Sequence, residues 1–256
     1  MDEKQTKYSI AEYVELPSGG KIYDKEVTAE IKLRAMTGRD EMKRLGGKSS
    51  LKTLADVIED CMIEKPKIHV YDMALGDYEY LLHRLRVITH GTKYKMLVYC
   101  QECKQYQEAV TDLDQIQVIP YDEDTWNKAK YLILPDCGDT ITLHYQTPRM
   151  LDEQSAKIKD MQRRYKGAQF DFTKLVLCKS VIEEVNGSLM DELKLEDYIK
   201  NLTAKDINII IRGIDTLNST IGIDTELIVD CPNPDCGAEI KTRFRYGQEF
   251  FEPTIY

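Results

Sequence analysis

Met96-Leu97-Val98-Tyr99-Cys100-Gln101-Glu102-Cys103 and Leu227-Ile228-Val229-Asp230-Cys231-Pro232-Asn233-Pro234-Asp235-Cys236 are the two stretches that decide how this chain folds. In each, an apolar run leads into a cysteine and a short polar turn separates it from a second, at C-x2-C spacing in the first and C-x4-C in the second. Residues 106–113 and 238–244, which follow the two pairs, alternate as strands do. Strand, knuckle, strand is the layout of half a zinc ribbon. Two cysteines cannot fill the four-coordinate shell that structural Zn2+ prefers. The economical arrangement is one shared site, Cys100, Cys103, Cys231 and Cys236, clamping two distant parts of the chain together. Two separate sites completed by other ligands are the alternative. A closed thiolate shell keeps no position for water and is structural, not catalytic. Its contribution to folding is on the order of 10 kcal/mol.

Free thiols and a redox pair are the competing explanations. A redox C-x2-C belongs on the first turn of a helix after a parallel strand. Here Lys104-Gln105-Tyr106-Gln107-Glu108-Ala109-Val110 alternates like a strand instead. In the second pair Pro232, Pro234 and Gly237 bend the backbone into a knuckle, and four intervening residues are a poor redox spacing.

At 256 residues the chain can bury one large core or two smaller ones. Its apolar fraction of 42% and charged fraction of 31% are those of a globular protein. No run approaches the roughly 18 apolar residues of a membrane span, and Met1-Asp2-Glu3-Lys4-Gln5 lacks the layout of a secretory signal. Seven cysteines without an export signal point to metal thiolates more than to disulfides. A net charge of −9 argues against nucleic-acid binding, which needs a basic surface. The basic run Arg163-Arg164-Tyr165-Lys166 reads as a solvated helix face. The expected partners are therefore proteins.

The resemblance between the cysteine segments extends upstream. Leu16-Pro17-Ser18-Gly19-Gly20 parallels Leu134-Pro135-Asp136-Cys137-Gly138. Ile31-Lys32-Leu33 with Thr37-Gly38-Arg39 parallels Ile141-Thr142-Leu143 with Thr147-Pro148-Arg149, each a short strand turning into a helix. Asp40-Glu41 and Asp152-Glu153 are expected in first helical turns, where the helix dipole favours them. Helices containing Val57-Ile58-Glu59-Asp60 and Val181-Ile182-Glu183-Glu184 are matched next. Last come helices from Asp77 and Asp206, with Asp77 and Thr203 as expected caps. They run to Gly91 and Gly222, each nine residues before the first cysteine of its pair.

This order predicts an α+β fold of two pseudo-repeated lobes, each strand, helices and zinc-ribbon hairpin, joined at the shared four-cysteine site. The expected divisions are an N-terminal arm (1–15), a first lobe (16–118), a second lobe (119–248) and an aromatic tail (249–256). The acidic, turn-prone Pro120-Tyr121-Asp122-Glu123-Asp124 marks the join. The pre-ribbon helix with Ile207, Ile209, Ile210 and Ile211 is apolar almost all round and is expected to be buried on more than one side.

Other constellations are weak. Gly46-Gly47-Lys48-Ser49 resembles the end of a phosphate loop, but Met42 stands at the first glycine position and the segment follows a helix rather than a strand. The four histidines, His69, His83, His90 and His144, form no nucleophile–base arrangement, and His83 and His90 are expected to flank a helix end. Glu59-Asp60 and Glu183-Glu184 read as solvated helix faces rather than acid–base pairs. Trp126 is a core anchor or a docking residue, and Phe250-Phe251 either folds back as core or projects as an interface anchor.

Several of these groups together resemble the T4-like contractile-tail phage baseplate hub and hub-assembly proteins. They are Leu16-Pro17-Ser18-Gly19-Gly20 with Tyr23, residues 33–37 with Asp40-Glu41, and residues 77–86 continuing through 91–94. Cys100-x2-Cys103 with Val110 and Asp112-Leu113, and the ending Phe250-Phe251-x-Pro253, complete the set. The likeness covers most of the first half and is looser in the second, where Gly213 stands in place of Arg84 and the knuckle is two residues longer. It implies a non-enzymatic structural or assembly role in the tail baseplate, with other baseplate and tail proteins as partners. The protein would then reside in the virion tail, or in the host cytoplasm during assembly. No catalytic residue is implied. The alternative is a cytosolic zinc-ribbon adaptor in transcription or RNA handling, favoured by Lys241, Arg243 and Arg245 alternating on one strand face. An enzyme with an open metal site would need a non-cysteine fourth position and a bound water, and the sequence offers no candidate acid or base beside it.

Overall fold

The computed structural model describes residues 10–24, 26–47, 50–165, 171–243, 246 and 248–251. Among these the fold is mixed α+β, with eight α-helices and several small antiparallel sheets. The chain opens with β1 (Ala11–Glu15) paired to β2 (Glu30–Arg34), then α1 (Gly38–Gly46), α2 (Leu51–Cys61) and α3 (Leu75–His90). The hairpin β3 (Lys93–Cys100) and β4 (Gln105–Asp112) follows. After β5 (Val118–Ile119) and α4 (Glu123–Lys130), a second series begins with β6 (Tyr131–Ile133), β7 (Thr140–Leu143) and α5 (Pro148–Arg164). It continues through α6 (Thr173–Val181), β8 (Ile182–Val185), α7 (Glu192–Asn201) and α8 (Ala204–Asn218). It ends with β9 (Gly222–Ile223) and the hairpin β10 (Glu226–Asp230) and β11 (Glu239–Arg243).

Local chemistry sets most helix starts. Ser50, Asp122, Thr147, Asp191 and Thr203 each accept a backbone N–H three residues on, the N-cap bond that satisfies an otherwise orphaned donor. Pro148 at the first position of α5 suits the helix, since no N–H is needed there. Asp40 and Glu41 occupy the first turn of α1 as expected.

Corresponding contacts recur in the two series. The Ser18 N–H donates to Asp77 near the start of α3 at 2.9 Å, and the Asp136 N–H donates to Asp206 near the start of α8 at 3.2 Å. Each turn follows a short strand, β1 or β6, that pairs with β2 or β7. Residues leaving the next helix also meet the same strand position. Met62 after α2 bridges Leu33 of β2, and Ile182 after α6 pairs with Leu143 of β7.

Several expectations are corrected. Ala11–Glu15, assigned to a leader arm, is β1, because Val14 is buried against the core while its neighbours pair with β2; residues 1–9 lie outside the described residues. Ile182-Glu183-Glu184 is strand, not helix, since β7 offers an edge to the β-branched Ile182 and Val185. Asp77 lies inside α3, whose N-cap is Ala74. Its carboxylate is taken by the Leu16-Pro17-Ser18 turn instead. Asp152-Glu153 falls beyond the first turn of α5, which starts at Pro148. His83 is buried within α3, and His90 ends it.

The main core spans both series, centred on Leu81, Leu82 and Leu85 of α3, Leu33 of β2, Ile141 and Leu143 of β7, and Ile210 and Ile214 of α8. Burial of such side chains stabilises by roughly 1.5–3 kcal/mol each. Ile207, Ile209 and Ile211 also pack against it, so α8 is apolar on several sides because several sides are covered. Several contacts join the series, among them the two that follow. The strands β5 and β9 pair, and Gly76 of α3 approaches the Ile221 carbonyl so closely that a Cβ there would lie 2.4 Å from the oxygen. Phe250 and Phe251 fold back into the core, which overturns the projecting-tail option for these two residues. The fully buried Arg86 fastens them by donating from Nε to the Phe250 carbonyl at 2.8 Å. Residues 252–256 lie outside the described residues. Trp126 is likewise core, packed beside Tyr121 and Tyr145.

Candidate metal centre

The two hairpins face one another and form a second, smaller core of their own. Val98, Cys100 and Ala109 from the first meet Cys231 and Ile240 from the second, with Met96, Val229 and Ala238 around them. Strand alternation aims these residues inward, while Leu97, Tyr99, Tyr106 and Ile228 face out. So few apolar groups bury too little area to order two hairpins unaided.

All four cysteines come together at the end of this small core. Cys100 and Cys231 close β3 and follow β10, and Cys103 and Cys236 sit in the turns beyond them. The turns are tight: Lys104 takes the left-handed conformation at φ 56°, and the Cys231 N–H donates to the Ala238 carbonyl at 2.8 Å. The four Sγ atoms lie within 4.8 Å of one another. Cys100 Sγ is 3.7 Å from Cys236 Sγ, and Cys103 Sγ is 3.8 Å from Cys231 Sγ, so both closest pairs cross between hairpins. None of the four is in a disulfide. A tetrahedral ion with metal–sulfur bonds of about 2.3 Å has sulfur–sulfur edges of about 3.8 Å. The donor set therefore fits such an ion.

A sequence model described as T4 bacteriophage base plate protein matches residues 9–252. The chain belongs to that family. Comparison with curated proteins and with solved structures finds no match. For this base plate protein the family implies a structural role in the virion tail among other tail proteins. It lends no support to the transcription or RNA-handling alternative. Of the basic face invoked for that alternative, Lys241 and Arg243 are exposed, Arg243 pairs with Glu226, and Arg245 lies outside the described residues.

The sulfurs are not electrostatically equal. The Cys103 backbone N–H, outweighing burial and aided by the Glu102 N–H, brings the Cys100 thiol of the base plate protein down to about 7. Burial pushes Cys231 up to about 12. A divalent ion that binds the cluster displaces the thiol protons still held there.

One member of the site carried no sequence signal. Gln107, on the inward face of β4, donates from Nε2 to Cys103 Sγ at 3.5 Å and to Cys231 Sγ at 3.6 Å. The scattered cysteines stand apart: Cys61 and Cys178 are buried thiols, and burial pushes them up to about 12 and about 11 respectively. Cys137 is exposed in the turn before β7.

The remaining candidates carry structural roles. His69 accepts the Tyr71 N–H on Nδ1 and meets Glu59 at 2.5 Å on Nε2. Glu183 pairs with Lys130 from strand β8 rather than from a helix face. Burial holds His83 down to about 4, which keeps it neutral. Gly46 ends α1, and Lys48 and Ser49 lie outside the described residues. At the end of α5, Arg164 pairs with Asp160 on an exposed helix face, and Lys166 lies outside the described residues. Among the described residues, no helix is long and apolar enough to cross a membrane.

Proposed function

We propose that this protein is a non-enzymatic structural or assembly component of the hub region of a contractile-tail baseplate, stabilised by one Zn2+ on Cys100, Cys103, Cys231 and Cys236. The observation that carries the baseplate reading is the family match across residues 9–252. The sulfur geometry supports the ion. Zinc suits an all-thiolate tetrahedron, and with four protein ligands it would serve to fasten the hairpins, not to activate water.

In this reading the chain is an internal duplication with lobes at 16–118 and 119–248. The paired turn-to-aspartate bonds and the matching Leu33–Met62 and Leu143–Ile182 contacts support it. The hairpins become zinc-ribbon halves, and the ion fixes how the lobes sit against each other. The protein meets other baseplate and tail proteins, first in the host cytoplasm during assembly and then in the tail.

The test is assembly itself. Deleting the gene should stop baseplate formation, and purified protein mixed with baseplate components should co-migrate with them. Normal tails from the deletion strain, with no co-migration, would refute the reading.

A further inference from the structure

The only side chain among the described residues that donates to sulfurs of both hairpins is that of Gln107. We propose that Gln107 is a positioning residue of the four-cysteine site: its amide neutralises part of the thiolate charge, holds Cys103 and Cys231 at their mutual spacing, and thereby sets how tightly the ion is gripped. The proposal rests on the reading of the four cysteines as a metal site.

The geometry makes the case. Gln107 lies opposite Val98 in the β3–β4 register, so its side chain projects to the same inward face as Cys100. It is only partly buried, and one NH2 group reaches one sulfur from each knuckle at nearly equal distances. Backbone N–H donors serve the knuckles locally, from Cys103 and Glu102 to Cys100 and from Asn233 to Cys231. Each of those bonds stays within its own hairpin. The Gln107 bond to Cys231 crosses between them, 124 positions along the chain.

Four thiolates on a divalent ion leave a net charge of −2 in a small core. Donors to the sulfurs disperse that charge and orient the ligands, and outer partners of this kind typically change metal affinity by about 10–100-fold. Methionine matches the length of glutamine without a donor. Glutamate matches its shape and adds a negative charge facing the thiolates.

The experiment loads the full-length chain with Co2+ and titrates it against a competing chelator, for wild type, Gln107→Met and Gln107→Glu. The wild type should take one ion and show sulfur-to-cobalt charge-transfer absorption. Gln107→Met should still bind one ion, about tenfold more weakly, with that absorption moved to longer wavelength because the sulfurs have lost a donor. Gln107→Glu should weaken binding further, towards a hundredfold. Packing alone would leave the charge-transfer energy unmoved. A Met variant equal to wild type in affinity and spectrum overturns the role of Gln107 while leaving the cysteine site standing. A wild-type chain that binds no Co2+ overturns the site and the proposal together.

Discussion

In the proposed duplication helices α3 and α8 hold corresponding places, yet each is fastened to its sheet differently. In the first, Asp77 receives three donors: the Ser18 N–H at 2.9 Å, the Ser18 hydroxyl at 2.5 Å and the Tyr23 hydroxyl at 2.6 Å. In the second, Asp206 receives the Asp136 N–H, and its Oδ2 finds no hydrogen-bond partner among the described residues. Farther along, Arg84 of α3 reaches Glu12 of β1 and Asp114 through ion pairs. At the matching place in α8 stands Gly213, where a Cβ would lie 2.4 Å from Leu132 of β6 and 3.1 Å from Leu143 of β7. One helix is tied to its sheet by a charged side chain, and the other sets a bare glycine against Leu132 and Leu143. In that reading, a shared framework constrains where the attachments fall more than which chemistry makes them.

The largest effect should come where the two series meet. Cys100→Ser or Cys231→Ser should each loosen both hairpins, because neither sulfur pair suffices alone. Limited proteolysis should cut both hairpins in either variant, with Tm lowered by more than about 10 °C. Cleavage confined to the mutated hairpin would break the idea of a shared ion. Next, Asp77→Ala should cost about 3 kcal/mol in chemical unfolding, since it strands three buried donors, and Asp206→Ala only about 1 kcal/mol. Equal costs would erase the contrast between the two turns.

Gly213→Ala should destabilise by about 2 kcal/mol through overpacking against Leu132. Arg84→Ala should lose under about 1 kcal/mol, as its ion pairs are partly solvated. A pH-dependent effect of similar size concerns a helix start. Asp40 accepts from the Thr37 N–H and from Arg34, and against the opposing effect of burial these bonds hold its carboxyl at about 2, below the ordinary 3.8. A depressed carboxyl stabilises the fold above its ordinary value and ceases to do so as pH falls through about 2. Asp40→Asn should therefore cost about 1 kcal/mol at pH 7 and nothing near pH 2. The matching helix α5 has no acid in its first turn and should show no such pH dependence.

What was legible in the sequence was mostly local. Thr203 announced a cap because capping needs only the next turn. The closeness of the two cysteine pairs was legible because two sulfurs alone cannot complete a four-coordinate shell. What stayed hidden depends on chain far away. Ala11–Glu15 is a strand only because β2 pairs with it, and Ile182–Val185 only because β7 offers an edge. Asp77 looked like a cap because no local pattern shows that a turn 59 residues earlier takes its carboxylate. Phe250 and Phe251 could not be placed because the buried Arg86 that holds them lies 164 positions earlier. Gln107 carried no motif, since its purpose arises when the opposite hairpin brings Cys231 within reach.

Native mass spectrometry of the purified full-length chain tests the central claim most directly. One zinc ion per chain is expected, lost both from Cys103→Ser in the first hairpin and from Cys236→Ser in the second. Two ions, none, or an ion retained after either substitution would contradict a single site built from both hairpins.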